Sequence, residues 1–111
     1  EKALLSRLSA ALSPLGAEVT DPGLVPPHCV PEDDPFVQTL LGVYHDYTGQ
    51  SARCLAIGGG TYVHDIPGGV AFGCAMPGVD NRMHEPDEFA ILDDLMLSAK
   101  MFAQVILDVC G

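Results

Sequence analysis

Apolar residues recur at helical spacing in three stretches of the chain. Leu4, Leu5, Leu8, Ala11, Leu12 and Leu15 predict an amphipathic helix over 2–15, ended by Pro14-Leu15-Gly16. Phe36, Leu40, Val43, Tyr44 and Tyr47 form a second stripe. Asp34 is placed to cap its free amides, Pro35 suits the first helical position, and Thr48-Gly49 ends it. Leu95, Ala99, Phe102, Ile106 and Val109 predict a last helix over 93–109 with Asp93 as its cap. Between the second and third helices lie two short apolar runs, Cys54-Leu55-Ala56-Ile57 and Val70-Ala71-Phe72-Gly73. Both read as buried strands, and a weaker strand is expected near Glu18–Thr20. Residues 74–92 read as irregular, with Pro77-Gly78 as a turn.

The stretch Ala17 to Pro35 breaks this pattern. It holds Pro22, Pro26, Pro27, Pro31 and Pro35, five of the nine prolines. Proline disrupts helix interiors and donates no ladder hydrogen bond, so the stretch predicts an extended connector and a domain boundary. With 111 residues the chain is one small domain or a piece of a larger one. It starts at Glu1 without a methionine, so further residues are expected upstream.

Hydrophobic residues make up 48% and charged residues 18%, which excludes a disordered acidic tail. The net charge of −10 argues against nucleic acid and anionic membrane as partners, since both need a basic patch. The longest apolar stretch, Ile91 to Cys110, is broken by Asp93, Asp94, Lys100 and Asp108, so no bilayer span is expected, and no signal peptide is visible. Cys29, Cys54, Cys74 and Cys110 form no Cys-x-x-Cys pair and read as unpaired thiols of a reducing cytoplasm.

Two segments could carry chemistry. Gly58-Gly59-Gly60-Thr61 follows a predicted strand. Such a run lets backbone amides converge on an anion, but spacing alone favours a tight turn, and the Gly-Lys-Ser/Thr ending of a phosphate loop is missing. His84 lies in Asn81-Arg82-Met83-His84-Glu85-Pro86-Asp87-Glu88. An imidazole among carboxylates suits a metal ligand, and equally a solvated acidic loop. It is not the helical His-Glu-x-x-His motif, because Glu88 takes the fifth position. His45, on the second helix, reads as a surface residue; His28 lies in the connector, and His64 follows the glycine loop.

Taken in register, Ala56-Ile-Gly-Gly-Gly-Thr-Tyr62, Gly69-Val-Ala-Phe-Gly73, Met76-Pro-Gly78 and His84-Glu-Pro-Asp-Glu88 resemble one family. Asp33-Asp34-Pro35, Leu40-Leu41-Gly-Val-Tyr44 and Tyr47-Thr-Gly49 fit the same series. The chain is similar, from about 30 to 110, to the C-terminal end of bacterial dipeptidases of the PepV and Xaa-His type. These belong to the dizinc exopeptidase superfamily of aminoacylase, carnosinase and carboxypeptidase G, whose chains are several times longer. The resemblance implies an α/β fold. Residues 31–111 would be the C-terminal part of the catalytic α/β sandwich, running helix, strand, glycine loop, strand, helix. Residues 1–30 would be the helix and short strand that end an inserted lid domain.

The resemblance further implies a zinc-dependent hydrolase that cleaves dipeptides in the cytoplasm. Two zinc ions hold a water between them, and a glutamate takes its proton. His84 aligns with the last zinc ligand, and Gly59, Gly60 and Thr61 with the loop whose backbone receives the dipeptide's carboxylate. Glu88 aligns with an acidic residue behind the ligand. The other ligands and the catalytic glutamate lie upstream in the family, so the 111-residue chain alone is expected to be inactive, to hold at most part of a zinc site and to self-associate. One departure stands out: the family's Thr-Tyr-Ala-Arg is here Thr61-Tyr62-Val63-His64. A binding or assembly module that keeps the fold pieces, and a small anion-binding α/β domain, are the alternative readings.

Overall fold

A computed structural model describes residues 2–20, 23, 25–73 and 75–111. Pro22 of the connector and the Cys74 thiol lie outside these described residues. Helix α1 spans Lys2–Leu12 and continues as a 3-10 turn over Ser13–Leu15. The α-helix stops before the expected residue 15 because Pro14 has no amide for the next intrahelical bond. Gly16, at φ 69°, closes the turn by donating its amide to the Ser13 carbonyl.

Helix α2 spans Pro35–Thr48 with the expected ends. The Asp34 carboxylate accepts the Phe36 amide at 2.8 Å, Pro35 takes the first turn, and Gly49 caps the far end at φ 68°. Helix α3 spans Leu92–Cys110. Its cap differs from expectation: the helix begins one residue earlier, Ile91 is the N-cap and makes no side-chain bond. Asp93 and Asp94 instead fall in the first turn, where their charge complements the helix dipole.

α2 and α3 pack on one another around Leu40, Val43, Met101 and Val105. Tyr44, Val70, Phe72, Met76 and Leu97 lean against this cluster. The Tyr47 hydroxyl donates across the helix pair to Gln104 at 3.3 Å. Leu40, Val43 and Tyr44 of the expected α2 stripe pack here, whereas the buried face of α3 is rotated from the expected one. In α2, Val37 is buried while Phe36 and Tyr47 stay partly exposed. In α3 the buried residues are Ser98, Met101 and Val105, and the expected stripe of Leu95, Ala99, Phe102, Ile106 and Val109 faces outward. The reason is that α3 is apolar on two adjoining faces, and periodicity cannot say which one meets α2.

Among the described residues no strand forms. The segments 18–20, 54–57 and 70–73 have no partner strand to complete a ladder, and α1 buries nothing and touches only its own 3-10 continuation. The accessible surface is 8857 Å². A closed monomer of 11.7 kDa exposes about 5,900 Å². The radius of gyration of 18.9 Å likewise exceeds the roughly 13 Å of a compact domain of this length. The chain does not close its own surface.

Ser98 is 2% exposed and its hydroxyl has no hydrogen-bond partner. An unpaired buried hydroxyl costs about 1–3 kcal/mol, whereas removing a fully buried methionine costs about 2–5 kcal/mol. Ser98→Ala is therefore expected to hold or raise the thermal unfolding midpoint, and Met101→Ala to lower it sharply. A large loss in Ser98→Ala would mean that the hydroxyl has a partner.

Candidate functional site

The glycine run enters a 3-10 turn, Tyr62–Asp65. Gly59 sits at φ 105°, a conformation that an L side chain rarely adopts. A Cβ added at Gly58, Gly59 or Gly60 would meet nothing within 4 Å, so the loop faces open space. Thr61 and His64 lock the turn reciprocally. The Thr61 side chain accepts the His64 amide, and the His64 imidazole accepts the Thr61 amide through Nδ1 at 3.4 Å. An amide can only donate, so Nδ1 carries no proton in this arrangement. Both polar groups of Thr61 that the turn can use are engaged, while no hydrogen bond among the described residues takes the Gly59 or Gly60 amide.

A second histidine supports the loop from the connector. His28 donates through Nε2 to the Gly69 carbonyl, and its ring lies 5.6 Å from that of His64. The connector is also held at Gln38, whose side-chain amide donates to the Glu32 carbonyl at 2.7 Å. Sequence reasoning gave His28 no role. The pairing spans 41 residues and leaves no local pattern to find.

His84 is exposed on a loop that its own neighbours fold. The Arg82 amide donates to the Asp80 carboxylate at 3.1 Å, Arg82 and Asp87 form a 3.7 Å ion pair, and the Phe89 amide reaches the Asn81 carbonyl at 3.2 Å. Arg82, His84 and Asp87 all adopt left-handed backbone, at φ 56°, 67° and 61°. Non-glycine residues seldom do so, and such outliers concentrate where a loop is held for use. The imidazole of His84 makes no hydrogen bond among the described residues, and Glu88 is exposed without an ion pair. No group of three metal-ligating side chains occurs among the described residues, and no bond joins the His84 loop to Gly58–Thr61. A groove at the end of α1, lined by Ser9, Ser13, Gly16, Ala17, Glu18 and Val19, contains none of the candidate residues.

The other histidine and the thiols have local duties. His45 donates through Nδ1 to the Gln50 carbonyl at 2.9 Å, tying off the end of α2. Cys29, Cys54 and Cys110 are free and exposed. Desolvation first, then the Glu32 carboxylate, then Cys29, raise the Cys54 thiol above its ordinary range.

The geometry can be set beside known proteins. The chain is 43% identical over 105 residues to a Beta-Ala-Xaa dipeptidase of Lactobacillus delbrueckii subsp. lactis, covering 95% of this chain and 21% of that protein. It is 44% identical over 80 residues to YtjP of Bacillus subtilis, a protein named as a dipeptidase, covering 72% of this chain and 17% of the relative. A dipeptidase-named protein of Staphylococcus aureus is 33% identical over 110 residues, 99% of this chain and 23% of the relative. The chain thus spans about a fifth of the length of the curated relatives it matches. No family model matches it, and no solved structure does so significantly. No helix of the described residues is long and apolar enough to cross a membrane.

Because Cys54 is an exposed residue, the Glu32 charge is the removable cause of its shift. Glu32→Gln is expected to lower the Cys54 pKa and so to speed its alkylation near pH 8, with Cys110 unchanged as internal reference. An unaltered Cys54 rate would exclude the pairing.

Proposed function

We propose, from its kinship with one segment of proteins named dipeptidase, that this chain is part of a zinc-dependent dipeptidase that hydrolyses dipeptides. The observation that carries the reading is 43% identity along 95% of the chain to a Beta-Ala-Xaa dipeptidase. In this reading residues 31–111 are the C-terminal part of the catalytic α/β domain, and residues 1–30 end an inserted lid. The segments 54–57 and 70–73 become strands once the remaining polypeptide supplies their neighbours. The protein works in the cytoplasm, where free thiols such as Cys29, Cys54 and Cys110 persist.

His84 contributes one zinc ligand. Its fit rests on an exposed imidazole with no competing hydrogen bond, on a loop fixed by Arg82, Asp87 and Asn81. Zinc, when bound, polarises the scissile carbonyl and acidifies the attacking water. The remaining ligands come from the rest of the protein, because a catalytic site takes about three protein ligands per metal and the described residues bring no such group together. Glu88 stands four residues beyond His84 and supports the ligand through its charge.

The glycine loop takes the other end of the substrate. The Gly59 and Gly60 amides are the donors left open for the dipeptide's carboxylate, with Thr61 anchoring the turn behind them. Fixed amide dipoles set the register of the peptide bond against the metal without a charged side chain.

Two outcomes are expected. In the complete protein, His84→Ala lowers kcat/KM for dipeptides by about 100-fold or more, since even groups behind a ligand are worth 10- to 100-fold. Wild-type turnover by that variant at limiting zinc refutes the ligand. The purified 111-residue chain, assayed with dipeptides and added zinc, shows no turnover, and metal-dependent hydrolysis by it would place the catalytic groups within these residues.

A further inference from the structure

The glycine loop does not fix its own shape. A Cβ at Gly58, Gly59 or Gly60 would meet no heavy atom within 4 Å, so no packing holds these residues. Glycine also gives up more conformational freedom on ordering than any other residue. Among the described residues, the run 54–57 ahead of the loop joins no ladder. The fixed points lie at the exit. The His64 amide donates to the Thr61 carbonyl at 3.2 Å and to the Thr61 side chain, and the Thr61 amide donates back to His64 Nδ1 at 3.4 Å. Amides that receive a carboxylate work by being held in place beforehand, so whatever holds Thr61 sets how well Gly59 and Gly60 bind.

That hold depends on one proton. Nδ1 accepts from an amide only while it is bare, so the lock exists with the neutral imidazole and not with the imidazolium. His64 is half-buried, and protons reach it from solvent. Imidazole is the side chain whose ordinary titration falls between about pH 5 and 8. The groups beside it do not replace the lock. His28 of the connector is its ring neighbour, with 5.6 Å between centroids, and keeps its own bond from Nε2 to the Gly69 carbonyl in either charge state. Asp65 follows in the same turn and is exposed. Neither histidine nor Asp65 forms an ion pair among the described residues.

We propose that His64 is a positioning residue for the substrate's carboxylate: its neutral imidazole holds the glycine loop in its binding shape, and protonation unlocks the loop and weakens dipeptide binding. The proposal rests on the reading of Gly59 and Gly60 as the carboxylate's donors. It has a definite sign. An imidazolium acting only as a charge attracts a carboxylate more strongly as pH falls. Loss of the lock acts the other way and raises KM as pH falls through the imidazole range.

The test compares the complete protein with its His64→Asn and His64→Leu variants. Asparagine offers an amide oxygen near the place of Nδ1 and does not titrate, whereas leucine offers no acceptor. KM and kcat for a dipeptide are measured between about pH 8 and about pH 5.5. At the upper end His64→Leu is expected to raise KM about five-fold with kcat little changed, roughly what one hydrogen bond is worth, and His64→Asn to recover most of that loss. Towards the lower end the wild-type KM is expected to rise about five-fold relative to that of His64→Asn. Metal ligands titrate alike in all three forms, so this ratio isolates His64. A ratio that does not change with pH overturns the proposal, and one that falls on acidification overturns it by making the imidazolium a charge for the substrate. An asparagine variant as impaired as the leucine variant at the upper end overturns it as well. Hydrogen exchange of the Thr61 amide, resolved by fragmentation mass spectrometry and corrected for the intrinsic effect of pH, reads the lock without substrate. Protection is expected to fall at least about threefold on acidification in the wild type and to persist in His64→Asn, and equal behaviour of the two overturns the proposal. A complete protein that cleaves no dipeptide refutes the proposed function, while unequal exchange in the two forms then still upholds the lock. An active dipeptidase with a pH-independent KM ratio refutes the role of His64 alone.

Discussion

Met101, 1% exposed, shares one cluster with Leu40, Val43 and Val105, and the packing of α2 on α3 hangs on that contact. It joins two helices separated by more than forty residues of turns and loops. Val70, Phe72 and Met76 lean on the same cluster, so the stretch between the glycine loop and the His84 loop is pinned at its centre. The side chains of Tyr47 and Gln104 add a polar tie across the helix pair. The contact is small for the length of chain it organises, which is why the surface of 8857 Å² stays so far above that of a closed monomer.

The two candidate loops are stiffened by different means. The exit of the glycine loop is locked by Thr61 and His64, and His28 grips Gly69 beyond the turn that follows it. The His84 loop is held by its own polar groups, and its backbone accepts three left-handed non-glycine residues in the process. His64 acts on the glycine loop directly, since its Nδ1 accepts the Thr61 amide. A guanidinium has no acceptor and cannot receive the Thr61 amide, whereas an imidazole nitrogen does.

Unmet needs recur in the same region. The apolar runs 54–57 and 70–73 lack strand partners, the outer stripe of α3 lacks cover, and the described residues gather no three-donor metal group. Each is a different kind of deficit, in backbone hydrogen bonding, in apolar burial and in coordination. In the function proposed above, further polypeptide would meet all three, and the chain spans only about a fifth of the relatives it matches.

The sequence by itself determined what depends on neighbours along the chain. Asp34-Pro35 and Gly49 set the ends of α2, and Pro14 and Gly16 ended α1, because capping and left-handed geometry act over a few residues. The series of glycine loop, Met76-Pro-Gly78 and His84 was also legible as a resemblance to dipeptidases, and relatives with that name match the chain. Tertiary structure alone decided which apolar face of α3 meets α2, and whether Asp93 caps the helix or sits inside its first turn. It alone brought His28 to Gly69 and Glu32 to Cys54. Those outcomes depend on which surfaces meet across distant parts of the chain, and a helix apolar on two sides satisfies the same periodicity whichever side is buried.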